Sequence, residues 1–214
     1  MPRFVKSAVL AVALLAVSTA AARAASPISI AAARHLPLGT VVTVEGSVTV
    51  PSGVFASSFF DEGFAIQDPT AGIYVSMADN LGLRLRQEAR VTGTLMDSGG
   101  LLILVPTSDS DVSVRGRGAV VVPRFVRTGA VGEATEGLIV LVVGRITSLE
   151  DDEPFGQKVF VNDGSGQIRV FINNGANIDV SHLHVGQPVA VTGFSGQFED
   201  YEIDPRFPSD FLAF

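Results

Sequence analysis

The chain contains the same pattern twice, and this internal repeat limits the folds that it can adopt. The segment from Gly39 to Gly93, with GTVVTVEGSVTV and FAIQDPTAGIYV, recurs in altered form from Gly137 to Gly193, as GLIVLVVGRITS and VFVNDGSGQIRV. Three pairs of landmarks are 98, 95 and 100 residues apart: Gly46 and Gly144, Asp68 and Asp163, and Gly93 and Gly193. So steady an offset indicates a tandem duplication, in which each copy has the length of one small domain.

Each copy is predicted to form five β-strands, because runs rich in Val, Ile and Thr alternate with turns rich in Gly and Asp. The predicted strands are 41–50, 63–67, 73–77, 89–96 and 101–105 in the first copy, and 139–148, 159–162, 168–172, 189–194 and 199–203 in the second. A short helical turn is predicted between the third and fourth strands, at 78–85 and at 179–184. Gly46 and Gly144 interrupt the long first strands, where we expect a bend or bulge.

This order of elements is typical of the OB fold, in which a glycine lets the long first strand bend across the barrel. We therefore predict an all-β chain with two tandem five-stranded OB-fold barrels. A single immunoglobulin-like sandwich of about ten strands is the alternative. The repeat argues against it, because one sandwich would not restart its pattern halfway along the chain.

The first 24 residues are predicted to be a secretory signal peptide. Arg3 and Lys6 give a charged start, residues 8–22 are apolar and small, and Ala22-Arg23-Ala24 fits a cleavage site. A transmembrane anchor is the alternative, but the apolar stretch is shorter than the roughly 20 residues that a membrane span needs. We expect cleavage after Ala24, giving a secreted or periplasmic protein with no membrane attachment.

The predicted mature chain is acidic and has no cysteine. The sequence holds 15 basic and 22 acidic residues, and three of the basic ones lie in the leader, which leaves 12 against 22, a net charge of −10. An acidic surface disfavours non-specific binding to a phosphate backbone. Without disulfides, an exported protein of this kind depends on its core alone.

The two copies resemble the OB-fold modules of secreted bacterial proteins, including modules attached to extracellular nucleases. The resemblance is carried by VTVEG, FAIQDPTAGIYV and VTG in the first copy and by VFVNDGSGQIRVFI, VTGF and DPRFPSD in the second. The unit VFVNDGSGQIRV is also similar to the anticodon-binding barrel of class II tRNA synthetases. The resemblance spans nearly all of the mature chain and implies an OB fold and, by analogy, nucleic-acid binding.

We place the first barrel at residues 25–113, a linker at 114–136 and the second barrel at 137–214. Four arginines lie close together between the copies: Arg115, Arg117, Arg124 and Arg127. They either contact phosphate or pair with acidic loops on the barrels, and the negative charge around them favours pairing.

OB folds bind ligands on the outer face of their second and third strands. Side-chain alternation assigns Phe64, Ile66, Ile73 and Val75 to the first core, and Val159, Val161, Ile168 and Val170 to the second. It leaves Ala65, Gln67, Tyr74 and Ser76 outside the first barrel, and Lys158, Phe160, Asn162, Arg169 and Phe171 outside the second.

Seven of these outward residues are the candidate ligand-binding residues: Gln67, Tyr74, Lys158, Phe160, Asn162, Arg169 and Phe171. The two cations and two aromatic rings of the second copy suit stacking on bases together with phosphate contacts. The alternative is that Phe160 and Phe171 pack against the other copy or the linker, because exposed aromatic rings at this density are uncommon.

Two other clusters are weaker candidates. The acidic run 150–153 is predicted in a loop that is either a calcium ligand or a solvated loop, and it lacks the spacing of a calcium loop. His182 and His184, with Asp179 nearby and His35 in the other copy, provide no clear third zinc ligand. Nucleophile motifs and a glycine-rich phosphate loop are also missing. We therefore predict no metal, no cofactor and no enzymatic activity.

The sequence thus predicts an exported, non-catalytic pair of OB-fold barrels that binds a single-stranded oligonucleotide or an oligosaccharide. The alternative is a structural or protein-interaction scaffold, whose barrel faces are buried against each other or a partner. The exposure of Phe160 and Phe171 in the folded chain is expected to distinguish the two.

Overall fold

A computed structural model describes residues 26–214, so the predicted leader lies outside the described residues. The first barrel consists of β1 (Val41–Val50), β2 (Phe64–Gln67), β3 (Gly72–Val75), β4 (Gln87–Ser98) and β5 (Leu101–Val105). Helix α1 (Ile30–Arg34) precedes it, and β6 (Val112–Arg117) pairs with β4. Within 26–214, no helix has the length and apolar composition that a membrane crossing requires.

The first barrel closes in the OB order. Strand β1 pairs antiparallel with both β2 and β4, β3 runs parallel to β5, and β5 pairs antiparallel with β4. The four side chains predicted to face the interior (Phe64, Ile66, Ile73 and Val75) are all in its buried core.

The second barrel has the same topology. Its strands are β8 (Ile139–Asp152), β9 (Gly156–Asn162), β10 (Gln167–Asn173), β11 (Pro188–Phe198) and β12 (Asp200–Asp204), with two short additions, β7 (Arg124–Phe125) and β13 (Phe211–Ala213). Strand β8 pairs with β9 and β11, and β10 runs parallel to β12. The predicted core residues are buried here too, and the prediction of two tandem OB-fold barrels is confirmed.

Gly46 and Gly144 occupy equivalent places, where two strands come too close for a side chain. A Cβ on Gly46 would lie 2.9 Å from the carbonyl carbon of Gln67, and one on Gly144 would lie 2.9 Å from that of Asn162. The bulges that we expected at these glycines lie two residues further along, between Val48 and Val50 and between Ile146 and Ser148. The glycines therefore allow the neighbouring strand to approach closely. The bulges two residues later bend the long first strands.

The repeat begins before the first strand of each barrel. The amide of Ile28 donates to the carbonyl of Thr43 at 2.9 Å, and the amide of Val126 donates to that of Leu141 at 3.0 Å, again 98 residues apart. Part of the segment predicted as a linker, 124–130, thus corresponds to the chain that precedes β1. The exact domain boundaries stay a prediction.

Two local predictions are wrong. Residues 78–85 and 179–184 form bends and turns instead of helical turns, because side chains of Asn80 and Asp179 accept hydrogen bonds from the amides of Gly82 and Ser181 and favour turns. The acidic run is mostly strand, since Glu150 to Asp152 belong to β8 and pair with β9. The reason is cross-strand pairing, in which Glu150 lies opposite Lys158.

The two barrels are packed against each other through a shared apolar cluster. Its buried members come from the first barrel (Val50, Phe55, Ala65, Tyr74, Leu101 and Ile103) and from the second (Ile139 and Phe194). The backbones meet at Gly72 and Gly137, where a Cβ on either residue would overlap the carbonyl oxygen of the other. The outer face of the first barrel is therefore covered by the second.

A buried ion pair also joins the two halves. Nη2 of Arg34 in α1 lies 2.8 Å from Oε1 of Glu136, the residue three before β8, and the amide of Leu102 in β5 donates to the same oxygen at 3.2 Å. Burial raises the pKa of Glu136, and the Arg34 guanidinium opposes that shift. Arg34 is thus the main group that stabilises the charged form of this buried carboxyl, and the Leu102 amide assists it.

Candidate ligand-binding cavity

A cavity of about 470 Å³ lies between the two barrels. One wall is the outer face of the second barrel, and the other is the β1–β2 loop of the first, at residues 55–60. A volume of this size is ordinary for a small-molecule site. Each barrel alone would provide only one of these walls.

The two cations on the cavity wall are both neutralised by the protein itself. Nζ of Lys158 lies 2.5 Å from a carboxylate oxygen of Asp152. Nε of Arg169 lies 2.7 Å from Oε2 of Glu202, and its Nη2 donates to the carbonyl oxygens of Phe198 and Asp200. Each of the two positive charges on this wall is therefore paired with a carboxylate, and neither cation is free to bind a ligand.

A second buried carboxyl lies beside the Arg169–Glu202 pair. Asp204 follows Glu202 by two residues on β12, so both side chains point to the same face. Asp204 is only 8% exposed, and within residues 26–214 its carboxylate has no hydrogen-bond partner. Gly196 leaves the room for it, because a Cβ there would lie 2.7 Å from Oδ2 of Asp204.

Burial governs the acidity of both carboxyls. It raises the pKa of Glu202 to about 7, against the opposing effect of Arg169. It also raises the pKa of Asp204 well above its usual range, and the neighbouring Glu202 charge adds to the shift, while Arg169 opposes it. Near neutral pH Glu202 is therefore present in both protonated and ionised forms, and Asp204 is shifted towards its protonated form.

Aromatic rings form the base of the cavity. Phe55 lies 5.8 Å from Tyr74 and 5.6 Å from Phe194, measured between ring centroids. The Tyr74 hydroxyl donates to Oδ1 of Asp61 at 2.7 Å, and burial together with the Asp61 charge raises the pKa of Tyr74. These contacts fix the loop of the first barrel against the base.

Two exposed rings stand at the cavity mouth. Phe60 of the first barrel and Phe155 of the second are 79% and 52% exposed, with ring centroids 6.3 Å apart. Phe60 has a φ of 55°, a left-handed conformation that is costly for a bulky side chain. Such strain is typical of ligand clamps.

The structure brings four of the predicted residues together at the cavity: Lys158, Arg169 and Phe171 on its wall and Tyr74 at its base. Phe160 and Asn162 lie on the same face but do not line the cavity, and the Asn162 side chain accepts a hydrogen bond from the amide of Gly164 in the turn. Phe160 and Phe171 are both half-buried, so they are neither fully exposed, as a ligand face requires, nor fully packed against the other copy or the linker. Their role in binding stays a prediction.

The outer face of the first barrel is largely covered. Gln67 and Tyr74 point away from their own core as predicted, and Ala65, Tyr74 and Ser76 are buried, which fits the alternative in which the barrel faces pack against each other. Oε1 of Gln67 accepts a hydrogen bond from the amide of Ile139 in the second barrel. The physical reason for the burial is the docking of the second barrel over this face. The roles of Gln67 and Tyr74 in ligand binding stay a prediction.

The two copies have diverged at equivalent positions. Tyr74 pairs with Ile103 between β3 and β5, whereas Arg169 pairs with Glu202 between β10 and β12. Val105 in the first copy corresponds to Asp204 in the second, since each is the residue that pairs at the same point of the fourth strand. One face has become apolar and covered, and the other has become charged and lines the cavity.

Sequence reasoning missed Glu202 and Asp204. A signal was present, because Asp200, Glu202 and Asp204 alternate with Tyr201 and Ile203 in a strand. Alternation of this kind places three carboxyls on one outer face. The burial of two of them depends on a loop some 140 residues earlier, which no local pattern reveals.

The weaker candidates are dispersed. His182 lies 3.9 Å from Asp179 on the surface, and no group of three or more metal-ligating side chains occurs within the described range. Of the four arginines between the copies, Arg127 is the one that forms an ion pair within that range, with Asp163 at 3.4 Å.

Comparisons with known proteins give distant matches. No protein-family model matches the chain. No curated protein matches it. Among solved structures, it is similar to an OBody bound to hen egg-white lysozyme, with 23% identity over 45% of this chain and 98% of that chain and a TM-score of 0.37.

Two further structures are also similar to this chain. One is a murine DNA-binding protein bound to double-stranded DNA, with 12% identity, 76% and 90% of the two chains covered and a TM-score of 0.40. The other is a replication protein A heterotrimer bound to single-stranded DNA, with 14% identity, 84% and 50% covered and a TM-score of 0.35. The resemblance to modules attached to secreted nucleases stays a prediction, and the function is argued below from this chain's own residues.

Proposed function

We propose that this chain is an exported, non-catalytic binding module that holds part of an oligosaccharide in the cavity between its barrels. The observation that carries the proposal is the convergence of aromatic rings with buried carboxyls in one cavity of about 470 Å³. Export is proposed from the leader pattern in the first 24 residues.

Sugars match both kinds of group on the cavity wall. The C–H face of a sugar ring packs on aromatic rings, which the accessible rings of Phe171 and Phe198 provide. Sugar hydroxyls donate to carboxylate oxygens, which Glu202 and Asp204 provide. An enclosed site with a few placed polar groups is the usual form of a small-ligand site.

An oligonucleotide fits the same wall less well. Phosphate recognition uses cationic side chains that are free to form charge-assisted hydrogen bonds. Lys158 and Arg169 are already paired with Asp152 and Glu202, and Asp204 adds a further acidic group. The cavity therefore favours a ligand without phosphate.

Two matched substitutions test the proposal. Phe171→Ala removes a ring from the cavity wall, whereas Phe160→Ala removes a ring from the same face outside it. Binding of cello-, malto- and chito-oligosaccharides to the purified protein is measured by calorimetry. We expect Phe171→Ala to weaken binding about 10- to 100-fold, from the usual contribution of a buried aromatic side chain, and Phe160→Ala to leave it within about threefold.

Single-stranded DNA is the competing probe. Binding that falls steeply with salt and is weakened by both substitutions would replace the oligosaccharide with an oligonucleotide. Failure of every saccharide and of DNA would favour the second candidate, a scaffold. The shared apolar cluster, in which the second barrel covers much of the first barrel's outer face, is the observation in favour of that candidate.

A further inference from the structure

We propose that the cavity selects a ligand that carries a protonated amine, such as an amino sugar, and that Asp204 is the group that receives it. This inference rests on the proposed function, because it concerns the same cavity, and it specifies the chemical class of the ligand. It also assigns a role to the one cavity carboxyl that has no partner among the described residues.

The position of Asp204 is the first argument. Asp204 is 8% exposed and lines the cavity, and its carboxylate receives no hydrogen bond from residues 26–214. Its oxygens still reach the cavity, because within that range the one fully enclosed side-chain oxygen without a partner is Oε2 of Glu136. The cation whose charge acts on Asp204, Arg169, is already engaged by Glu202 and by two backbone carbonyls. A buried carboxylate without a partner is costly, and a bound cation would remove that cost.

The charge balance of the wall is the second argument. Three carboxyls (Asp152, Glu202 and Asp204) face the cavity with two cations (Lys158 and Arg169). On the first barrel's side of the cavity, a further carboxylate, Asp61, lies behind Tyr74 and accepts a hydrogen bond from its hydroxyl. Fully ionised, the second barrel's wall has one negative charge in excess, which one ammonium group would match.

The aromatic lining supports the same ligand. Phe171, Phe194 and Phe198 line the cavity together with Asp204. The faces of aromatic rings attract ammonium groups, and the attraction strengthens where water is excluded. A carboxylate surrounded by rings is thus suited to an organic cation as well as to a neutral hydroxyl.

The raised pKa values of Asp204 and Glu202 give the inference a measurable consequence. Before the ligand binds, burial favours the protonated carboxyl, which has no charge to bury. An ammonium group favours the ionised carboxylate, so the carboxyl proton passes to the buffer while the ammonium keeps its own. Binding is therefore accompanied by proton release.

The test compares glucosamine oligomers with N-acetylglucosamine oligomers of equal length, by calorimetry in two buffers of different ionisation enthalpy, at a pH below the pKa of the sugar amine so that the amine is protonated before it binds. We expect the amine form to bind about 10- to 100-fold more tightly, as hydrogen bonds to charged groups do, and to release protons. Asp204→Asn should reduce the preference to within about threefold. Asp200→Asn, an exposed carboxylate on the same strand outside the cavity, should leave it unchanged.

The unmodified protein provides a second readout that does not depend on the folding of a variant. At about pH 5 Glu202 is mostly protonated, and burial shifts Asp204 in the same direction, so the preference for the amine form should be weaker there than at higher pH. A preference that is undiminished there overturns the inference.

The remaining outcomes separate this inference from the proposed function. Equal binding of both oligomers overturns the inference and keeps the proposed function. Binding of putrescine that depends on Asp204, with no saccharide bound, supports the amine site and overturns the oligosaccharide. No binding of any probe overturns both.

Discussion

The buried pair Glu202 and Asp204 should make the free protein less stable as the pH rises. Folding raises the pKa of both groups. At a pH between the unfolded-state pKa and the folded-state pKa of a group, the folded chain therefore binds more protons than the unfolded chain. Under these conditions the free energy of unfolding falls with rising pH. The stabilisation is fully present below the unfolded pKa and is lost as the pH passes through the folded pKa.

The size of the effect follows from Glu202 alone. Its pKa rises from the ordinary 4.5 to about 7 in the folded chain. At about 1.4 kcal/mol for each pKa unit, the loss between about pH 4.5 and about pH 8 is about 3 kcal/mol. Asp204 changes the stability in the same direction.

The assay is urea unfolding at a series of pH values, for the unmodified protein and for the double variant Glu202→Gln with Asp204→Asn. The double variant leaves Arg169 without its carboxylate partner, which lowers stability by an offset, but it removes both titrations. The difference in unfolding free energy should therefore shift with pH by at least about 3 kcal/mol in favour of the variant. Parallel profiles for the two proteins would refute the reasoning.

Two further substitutions probe the fold. Gly46→Val and, in the other copy, Gly144→Val should each lower the free energy of unfolding by about 3 kcal/mol, because the new side chain meets the backbone of the neighbouring strand; thermal unfolding measures this, and an unchanged melting temperature would contradict it. Arg34→Ala should cost about 3–5 kcal/mol because it leaves the buried carboxyl of Glu136 without its cationic partner. Adding Glu136→Gln should restore part of the loss in urea unfolding, and no recovery would show that the charge is not the cause.

Local pattern was enough to predict the barrels and their cores. The first and last strands of the first barrel, Val41–Val50 and Leu101–Val105, have the predicted bounds. Alternation correctly assigned Ile66 and Val161 to the two cores. Strand bounds and core-facing side chains depend on residues close in sequence and on the adjacent strand. Local sequence patterns are therefore enough to predict them.

The faces between the barrels could not be predicted in this way. Tyr74 alternates outward like Arg169, yet it is buried because Phe194, 120 residues later, packs against it. Asp204 belongs to a visible alternation, but its burial depends on how the loop of the first barrel lies over the second. Contacts between distant segments depend on the docking of whole domains, which side-chain periodicity does not encode.

The cavity has one wall from each copy of the repeat, so a single barrel cannot enclose it. The equivalent outer faces now differ in chemistry: the first copy has Tyr74 and Ile103 where the second has Arg169 and Glu202. The two copies are therefore no longer interchangeable, and an exchange of their order along the chain would dismantle the site while leaving both barrels intact.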